Sequence, residues 1–357
     1  MIIDTKKVKS KTEKLIFNEI GKNQDIISFI KKYFDLNDKS THVTSTSSHF
    51  NINTLKKRKI NSLINLKEIN DARYINKLFE SVNRKLSKSA LFFGCVITYP
   101  NRRNAILSKY PVFINWIIYF FDTLFSRVFP KLLLTRKLYF YFTKGRGRVI
   151  SRAETLGRLY SCGFQVVDEA TFNNRHYFIV RKLKKPEYDK NPTYGMFISL
   201  KRVGKNNKLF NVYKLRTMHP FSEYLQEYIY KNNYLDDGGK MKNDFRISPE
   251  GRFFRKFWID ELPMILNFIK GDMKIVGVRP LSEQYFSLYD IELKKLRTRF
   301  KPGLVPPFYA DLPSTLEEIM DSEKKYLQLY EKSPVTTDFK YFFLAFKNII
   351  FRGARSN

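Results

Sequence analysis

A chain of 357 residues is long enough for two ordinary domains and a sizeable core. Its 65 Lys and Arg outnumber 34 Asp and Glu, and a net charge of +31 argues for an anionic partner: nucleic acid, anionic lipid or a phosphorylated substrate. The two cysteines, Cys95 and Cys162, stand alone, which excludes a disulfide framework and a cysteine metal site, and MIIDTKKVKSKTEK at the start lacks the apolar core of a secretory signal. The working part is therefore expected to face the cytoplasm. With 33 Phe and 22 Tyr beside so many cations, a membrane interface suits the composition at least as well as a base-stacking groove.

Residues 1–60 are poorly patterned and are expected to be poorly ordered, with the Ser-, Thr- and Asn-rich NDKSTHVTSTSSHFNIN (37–53) as a loop or link. From 61 order improves. INDARYINKLFESVNRKL (69–86) carries Ile75, Leu78, Phe79 and Val82 at helical spacing, and ALFFGCVITY (90–99) reads as a buried strand. SRAETLGRLYSCGF (151–164) predicts a helix capped by Ser151 and stopped at Gly163. FQVVDEA and HYFIVRKL (176–183) predict two strands joined at Asn173-Asn174. This succession over 61–185 resembles the second half of a Rossmann-like methyltransferase fold. No Gly-rich cofactor loop precedes it, so a degenerate structural domain without bound nucleotide or methyl donor is expected.

That domain is interrupted by YPVFINWIIYFFDTLFSRVFPKLLLTRKLYFYFT (110–143), too apolar for a soluble loop. Its longest uncharged run, Tyr110 to Phe121, is well short of the ~20 residues a bilayer span needs, and Pro130 breaks the middle. The segment reads as a re-entrant or in-plane hairpin, the alternative being a buried helical pair in the core. Flanking Lys109, Lys144, Arg146 and Arg148 and the Trp and Tyr content favour an interface.

Pro186 to Pro192 reads as the domain boundary, and GMFISLKRVGKNNKLFNVYKLRTM (195–218) as a β-hairpin turning at GKNN. Beyond it, Arg246, Arg252, Arg255 and Lys256 precede an acidic pair, Asp260-Glu261, and Arg279 follows. Guanidinium groups at this density suit a diphosphate. DELPMILNFIKG predicts a helix with Pro263 in its first turn and Gly271 as its stop. Acids at a helix start are ordinarily caps. Against that reading, the two are adjacent rather than at capping-box spacing, cations crowd them, and Asp244 and Asp272 are available for a divalent ion. A carboxylate beside a metal and a polarised phosphate can act as a nucleophile.

RVGKNNKLFNVYKLRTM (202–218), NDFRISPEGRFFRKFWIDELPMILNFIKGDMKIVGVRPL (243–281) and RTRFKPGL (297–304) resemble the bacterial sugar transferase family, the monotopic polyprenyl-phosphate sugar-1-phosphate transferases. With the C-terminal helices the resemblance covers 192–352. It implies that Asp260 attacks the β-phosphate of a UDP-sugar, releasing UMP. The sugar phosphate would then pass to polyprenyl (undecaprenyl) phosphate, giving a lipid-linked diphosphate sugar at the first step of a surface glycan pathway. It further implies Mg²⁺ held near Asp260 and Glu261, and Lys214, Arg216, Arg246, Arg252, Arg255 and Arg279 as substrate-binding groups.

The expected fold is thus α/β in two parts: a degenerate Rossmann-like N-terminal domain carrying a membrane-interacting hairpin, and a mixed α+β transferase domain. Expected partners are the UDP-sugar, polyprenyl phosphate, the membrane and other glycan-assembly enzymes, and nucleic acid is not among them. The expected place is the cytoplasmic face of the inner membrane, entered from one side only. The alternative is a non-catalytic, membrane-bound scaffold of a glycan assembly complex. Three features depart from the family. A polar VRKLKKPEYDKNPTYG precedes the hairpin where a re-entrant helix is usual, GVRP (277–280) replaces Gly-Pro-Arg-Pro, and PGLVPPFYADLP (302–313) replaces the usual loop, so the sugar does not carry over. TDFKYFFLAFKNIIFR (337–352) reads as either an interfacial or a core helix.

Overall fold

Five strands of the N-terminal part pair in the order β1 (Thr41–Thr44), β2 (Ile60–Glu68), β3 (Leu86–Val96), β5 (Arg175–Lys182) and β4 (Phe164–Phe172). β1, β2 and β3 run parallel, and β5 is antiparallel to both of its neighbours. β3 is central, and Phe92, Phe93, Cys95 and Val96 are buried in succession, as a strand covered on both faces requires. The computed structural model describes residues 11–21, 23–38, 40–55, 60–188, 194–232 and 244–352. The chain divides into two units, Met1–Gly195 with His219–Tyr228 and Met196–Met218 with Ile229–Asn357.

The first unit corrects the expectation for residues 1–60. Helices α1 (Lys11–Ile20) and α2 (Gln24–Lys31) lie there, and Ile16, Ile26, Ile30 and Phe34 form one core with Ile64, Phe93, Tyr177 and Ile179 of the sheet. Asn23 caps α2 by accepting from the amides of Asp25 (3.0 Å) and Ile26 (3.3 Å). The Ser/Thr-rich stretch is also structured. It supplies β1 and then α3 (His49–Asn53), whose first turn Ser48 caps. Residues 1–10, most of the MIIDTKKVKSKTEK stretch, lie outside the described residues, as do 189–193 at the expected Pro186–Pro192 boundary.

The other face of the sheet is covered by α4 (Ile75–Lys85), whose Phe79 meets Phe92 and Phe178 edge-on. After β3 come α5 (Tyr99–Lys109), α6 (Ile114–Thr123), a wide turn over Leu124–Val128 and α7 (Leu133–Thr143). Apart from Tyr139 of α7, which is buried, their large apolar side chains mostly stay outside the core. Trp116, Ile117, Phe120 and Phe121 of α6 and Leu138, Tyr141 and Phe142 of α7 are all at least half exposed. Asp122, the acid that interrupts this apolar stretch, is held by a two-point ion pair from Arg102 (2.8 and 2.5 Å). No helix among the described residues is long and apolar enough to cross a membrane. α8 (Arg152–Ser161) follows, capped by Ser151 and ended at Gly163 (φ +82°) as predicted, and β4 and β5 turn at Asn173-Asn174. Cys95 and Cys162 are buried free thiols, pushed up to about 12 chiefly by burial.

The second unit opens with the predicted hairpin, β6 (Phe197–Val203) against β7 (Leu209–Leu215), turning through Asn206 and Asn207 at positive φ. After α9 (Gln226–Asn232) the described chain resumes at Asp244 and continues with α10 (Pro249–Lys256) and α11 (Ile265–Ile269). β8 (Lys274–Val276) pairs in parallel with β9 (Gly303–Val305), and α12 (Glu283–Ser287) and α13 (Ile291–Arg299) connect them. Three further helices close the described part of the chain: α14 (Phe308–Asp311), α15 (Leu316–Lys332) and α16 (Pro334–Phe351). Val276, Val278, Leu293, Tyr326, Leu327 and Tyr341 make its main core.

α16 packs with its less greasy side inward. Thr337, Tyr341, Ala345 and Asn348 are buried, whereas Phe339, Phe343, Phe346, Ile350 and Phe351 are more than half exposed. The choice between core and interfacial helix is thereby narrowed: one face is a core face, and the apolar one is outside.

Candidate active site

The acidic pair sits in a turn unlike the one its sequence predicts. Trp258 adopts φ +54°, Ile259–Met264 form a 3₁₀ helix containing Pro263, and α-helix begins only at Ile265. Asp260 and Glu261 therefore do not stand at the positive end of an α-helix dipole. No side chain caps this turn, and the Glu261 amide donates to the Trp258 carbonyl at 3.0 Å. Ordinary capping does not account for either acid.

Three elements place groups around the pair. β7 brings Lys214, whose Nζ lies 2.6 Å from Glu261 Oε1 with both side chains half-buried. Asn267 of α11, fully buried, accepts from the Tyr213 amide (3.1 Å) and donates to the Asn211 carbonyl (2.6 Å), which fixes the acidic turn against that strand. α10 enters next to Thr217, whose carbonyl leaves no room for a side chain at Gly251. From its last turn Arg255 donates to Thr217 Oγ1 at 3.0 Å.

Burial, then the neighbouring Glu261, holds the Asp260 carboxyl above the ordinary carboxylate value, while Lys214 and Arg255 pull it down. A partly desolvated carboxylate with cations nearby is more nucleophilic than one in water and still ionises.

Lys214, Glu261 and Arg279 line one small cleft, together with Arg202 and Tyr309. Burial and the charge of Arg279 depress the Arg202 guanidinium, so two cations there repel each other and favour an anion between them. Arg279 also lies over the Phe308 ring, 5.8 Å from its centre.

The remaining predicted residues are placed differently. Arg246 is buried and gives Nε and Nη2 to Asp244 (2.7–3.0 Å), so Asp244 is occupied by a guanidinium rather than left open for a metal. Asp272 stands by Asn267 Nδ2 at 3.3 Å. Arg252 is exposed on α10, and Arg216, half-buried, donates its amide to the Met196 carbonyl. None of these lines the cleft.

Several contributors escape the sequence reading. Arg202 looks like any hairpin cation. Arg297, bonded to the buried Glu323, donates to the Arg279 carbonyl at 2.6 Å and so fixes the GVRP turn. Trp258 Nε1 donates to Tyr309 OH at 3.0 Å, and Asn348 of α16 donates to the Tyr309 and Ala310 carbonyls. Only Asn267 carries a signal, a lone amide inside an apolar run.

This site lies within the stretch, residues 188–352, that matches the family model for bacterial sugar transferases. The match covers a little under half of the chain and falls mostly in its second unit. Residues of the chain are 31% identical over 153 positions to the galactosyl transferase CpsE of Streptococcus agalactiae, covering 43% of this chain and 34% of that protein. The undecaprenyl-phosphate galactose phosphotransferase of Salmonella typhimurium is 39% identical over 110 residues, 29% of this chain and 22% of its own. The exopolysaccharide production protein ExoY of Sinorhizobium fredii is 35% identical over 115 residues, 31% of this chain and 50% of its own. The chain thus spans half or less of the length of these curated relatives.

Proposed function

We propose that this protein transfers a sugar 1-phosphate from a UDP-sugar to a polyprenyl phosphate. The observation that carries the reading is the acidic pair: uncapped, half-buried and flanked by Lys214 and Arg255, inside the segment that matches the family. Two relatives, an undecaprenyl-phosphate galactose phosphotransferase and a UDP-galactose-lipid carrier transferase of Erwinia amylovora, are named for activities that agree with this reading.

In the proposed reaction an Asp260 carboxylate oxygen attacks the β-phosphorus of the UDP-sugar. The bond to the bridging oxygen breaks, and UMP leaves with that electron pair. An oxygen of polyprenyl phosphate then attacks the same phosphorus, and the Asp260 carboxylate departs as the lipid-linked diphosphate sugar forms. Both are displacements at phosphorus that redistribute charge onto phosphate oxygens, where Arg202, Arg279 and Lys214 would stabilise it. Glu261 holds Lys214 in place for this task.

The pair also suits Mg²⁺, which takes one or two carboxylates and completes its shell with water and substrate phosphate. Asp260 and the Glu261 oxygen not engaged by Lys214 would hold it, and the ion would neutralise diphosphate charge. Among the described residues no third carboxylate, His or Cys joins them.

We place the protein on the cytoplasmic face of the cell membrane, entering it from one side, where other glycan-assembly enzymes would take its product. Exposed Leu262, Ile265, Leu266 and Ile269 beside the acidic pair, and the outer face of α16, suit contact with a polyprenyl chain and the lipid surface. The first unit is read as a degenerate Rossmann-like domain, with the 110–143 hairpin as a second membrane contact. The deciding assay is UMP release across several UDP-sugars with polyprenyl phosphate and Mg²⁺. UMP formation with at least one donor is expected, and none with any donor leaves the scaffold reading in its place.

A further inference from the structure

The first unit contains a cavity of about 580 Å³, a volume that suits a nucleotide-sized ligand. All of its walls belong to that unit. They come from the chain after β2 with the first half of α4 (Arg73–Glu80), the long excursion after β3 (Arg127–Ile150), α8 with Cys162, and Tyr188, Tyr194 and Pro220.

The chemistry of the walls is one-sided. Seven basic side chains, among them Arg73, Lys77, Arg127, Arg136 and Arg148, face two carboxylates, Glu80 and Glu154. Glu154 is engaged by Arg158, which donates Nε and Nη2 to it at 3.0 and 2.6 Å. The cationic excess therefore remains. Arg148 is tethered by Nη2 to the Ala72 carbonyl at 2.7 Å and lies 5.2 Å from the centre of the Phe140 ring, while its buried Nε has no hydrogen-bond partner. A buried guanidinium donor is rarely left unmet unless a ligand meets it. Tyr188 adds a ring able to stack a base, while Tyr74 lies beneath Arg73 and Lys77 (5.4 and 5.1 Å from its centre) and Tyr194 beneath Arg158 (5.1 Å).

From these features we propose that the first unit binds a soluble phosphorylated ligand of nucleotide size, its phosphates on Arg148, Arg73 and Lys77 and its body against Tyr188. This reverses the expectation of an empty structural domain, which rests on the missing Gly-rich loop. Here arginine side chains take the part that glycine-loop amides play elsewhere. The inference is independent of the chemistry proposed for Asp260.

The test is calorimetric titration of the full chain in detergent with ADP, GDP, UDP and inorganic phosphate, with flotation on phosphatidylglycerol vesicles in parallel. Arg73 and Lys77 are exposed, so the double variant Arg73→Gln/Lys77→Gln should melt like wild type. At least one nucleotide should bind the wild type and lose about tenfold or more in affinity in that variant, since two charge-assisted contacts go. Lys214→Gln, in the other unit, should leave unchanged the binding that the double variant loses. Absence of nucleotide binding, or binding indifferent to the double variant, overturns the proposal. Vesicle binding that the double variant loses, without any nucleotide binding, also overturns it and assigns the cavity to a lipid headgroup.

Discussion

Lys214 on β7 is bonded to Glu261, at 2.6 Å, rather than to Asp260 beside it. The cation nearest the acidic pair is thus positioned by the second acid while its field acts on the first. Two substitutions should move the ionisation of Asp260 in opposite directions. Lys214→Gln removes an influence that lowers its pKa, so the acid limb of kcat/KM should shift to higher pH. Glu261→Gln removes one that raises it, so the limb should shift to lower pH. Lys214→Gln should also cost on the order of 10²-fold in kcat through lost stabilisation of phosphate charge. pH–rate profiles of the three proteins check this, and shifts in the same direction would contradict it.

The raised pKa of Asp260 also bears on stability. Because the folded state holds this proton more tightly than the unfolded chain, stability falls as pH rises from the ordinary value of 3.8 through the folded one, and the loss persists above. Asp260→Asn removes the buried charge, so its Tm at pH 7 should equal or exceed that of wild type. The difference should shrink as pH falls towards 3.8. A marked loss of stability at pH 7 would mean that the carboxylate is structural.

Arg297 and Glu323 form a buried ion pair that holds the Arg279 carbonyl. Arg297→Met strands a buried carboxylate, at a cost of about 3–5 kcal/mol. Melting should fall by on the order of 10 °C, and residual activity should show a raised KM for the sugar nucleotide. Unchanged melting would remove this pair from the account.

Trp116, Phe120 and Phe121 leave at least half of each side chain in water on α6. If this face enters lipid, the triple substitution to Ser should shift the protein from the membrane towards the soluble fraction, since each ring is worth ~1.5–3 kcal/mol when buried. Flotation with anionic vesicles measures it. Wild-type protein recovered in the soluble fraction at ordinary ionic strength would refute the membrane contact.

What the sequence disclosed follows from which signals are local. The hairpin around Asn206-Asn207, the Ser151 cap and the Asn173-Asn174 turn are set by neighbouring residues, and all were legible. α1 and α2 were not, because helices of 10 and 8 residues gain their stability from Phe93 and Tyr177 far along the chain. The acidic pair was legible as unusual, but Trp258 at φ +54° and the 3₁₀ turn that withdraws it from the helix end were not. Asp244 looked free for a metal, since nothing in sequence distinguishes it from a carboxylate committed to Arg246 two residues on. Arg202 and Arg297 act through residues 77 and 18 positions away, which no local pattern reveals.

The central claim is that Asp260 forms a bond to phosphorus. Intact-protein mass spectrometry after mixing with UDP-sugar and Mg²⁺, without lipid acceptor, measures it directly. Wild type should gain the mass of one sugar phosphate and lose it again on adding polyprenyl phosphate. Asp260→Asn, whose amide has no anionic oxygen, should gain nothing and turn over at background. Glu261→Gln should still form some adduct. An Asp260→Asn protein that acquires the phosphosugar mass, or that still releases UMP, would contradict the covalent role of this residue.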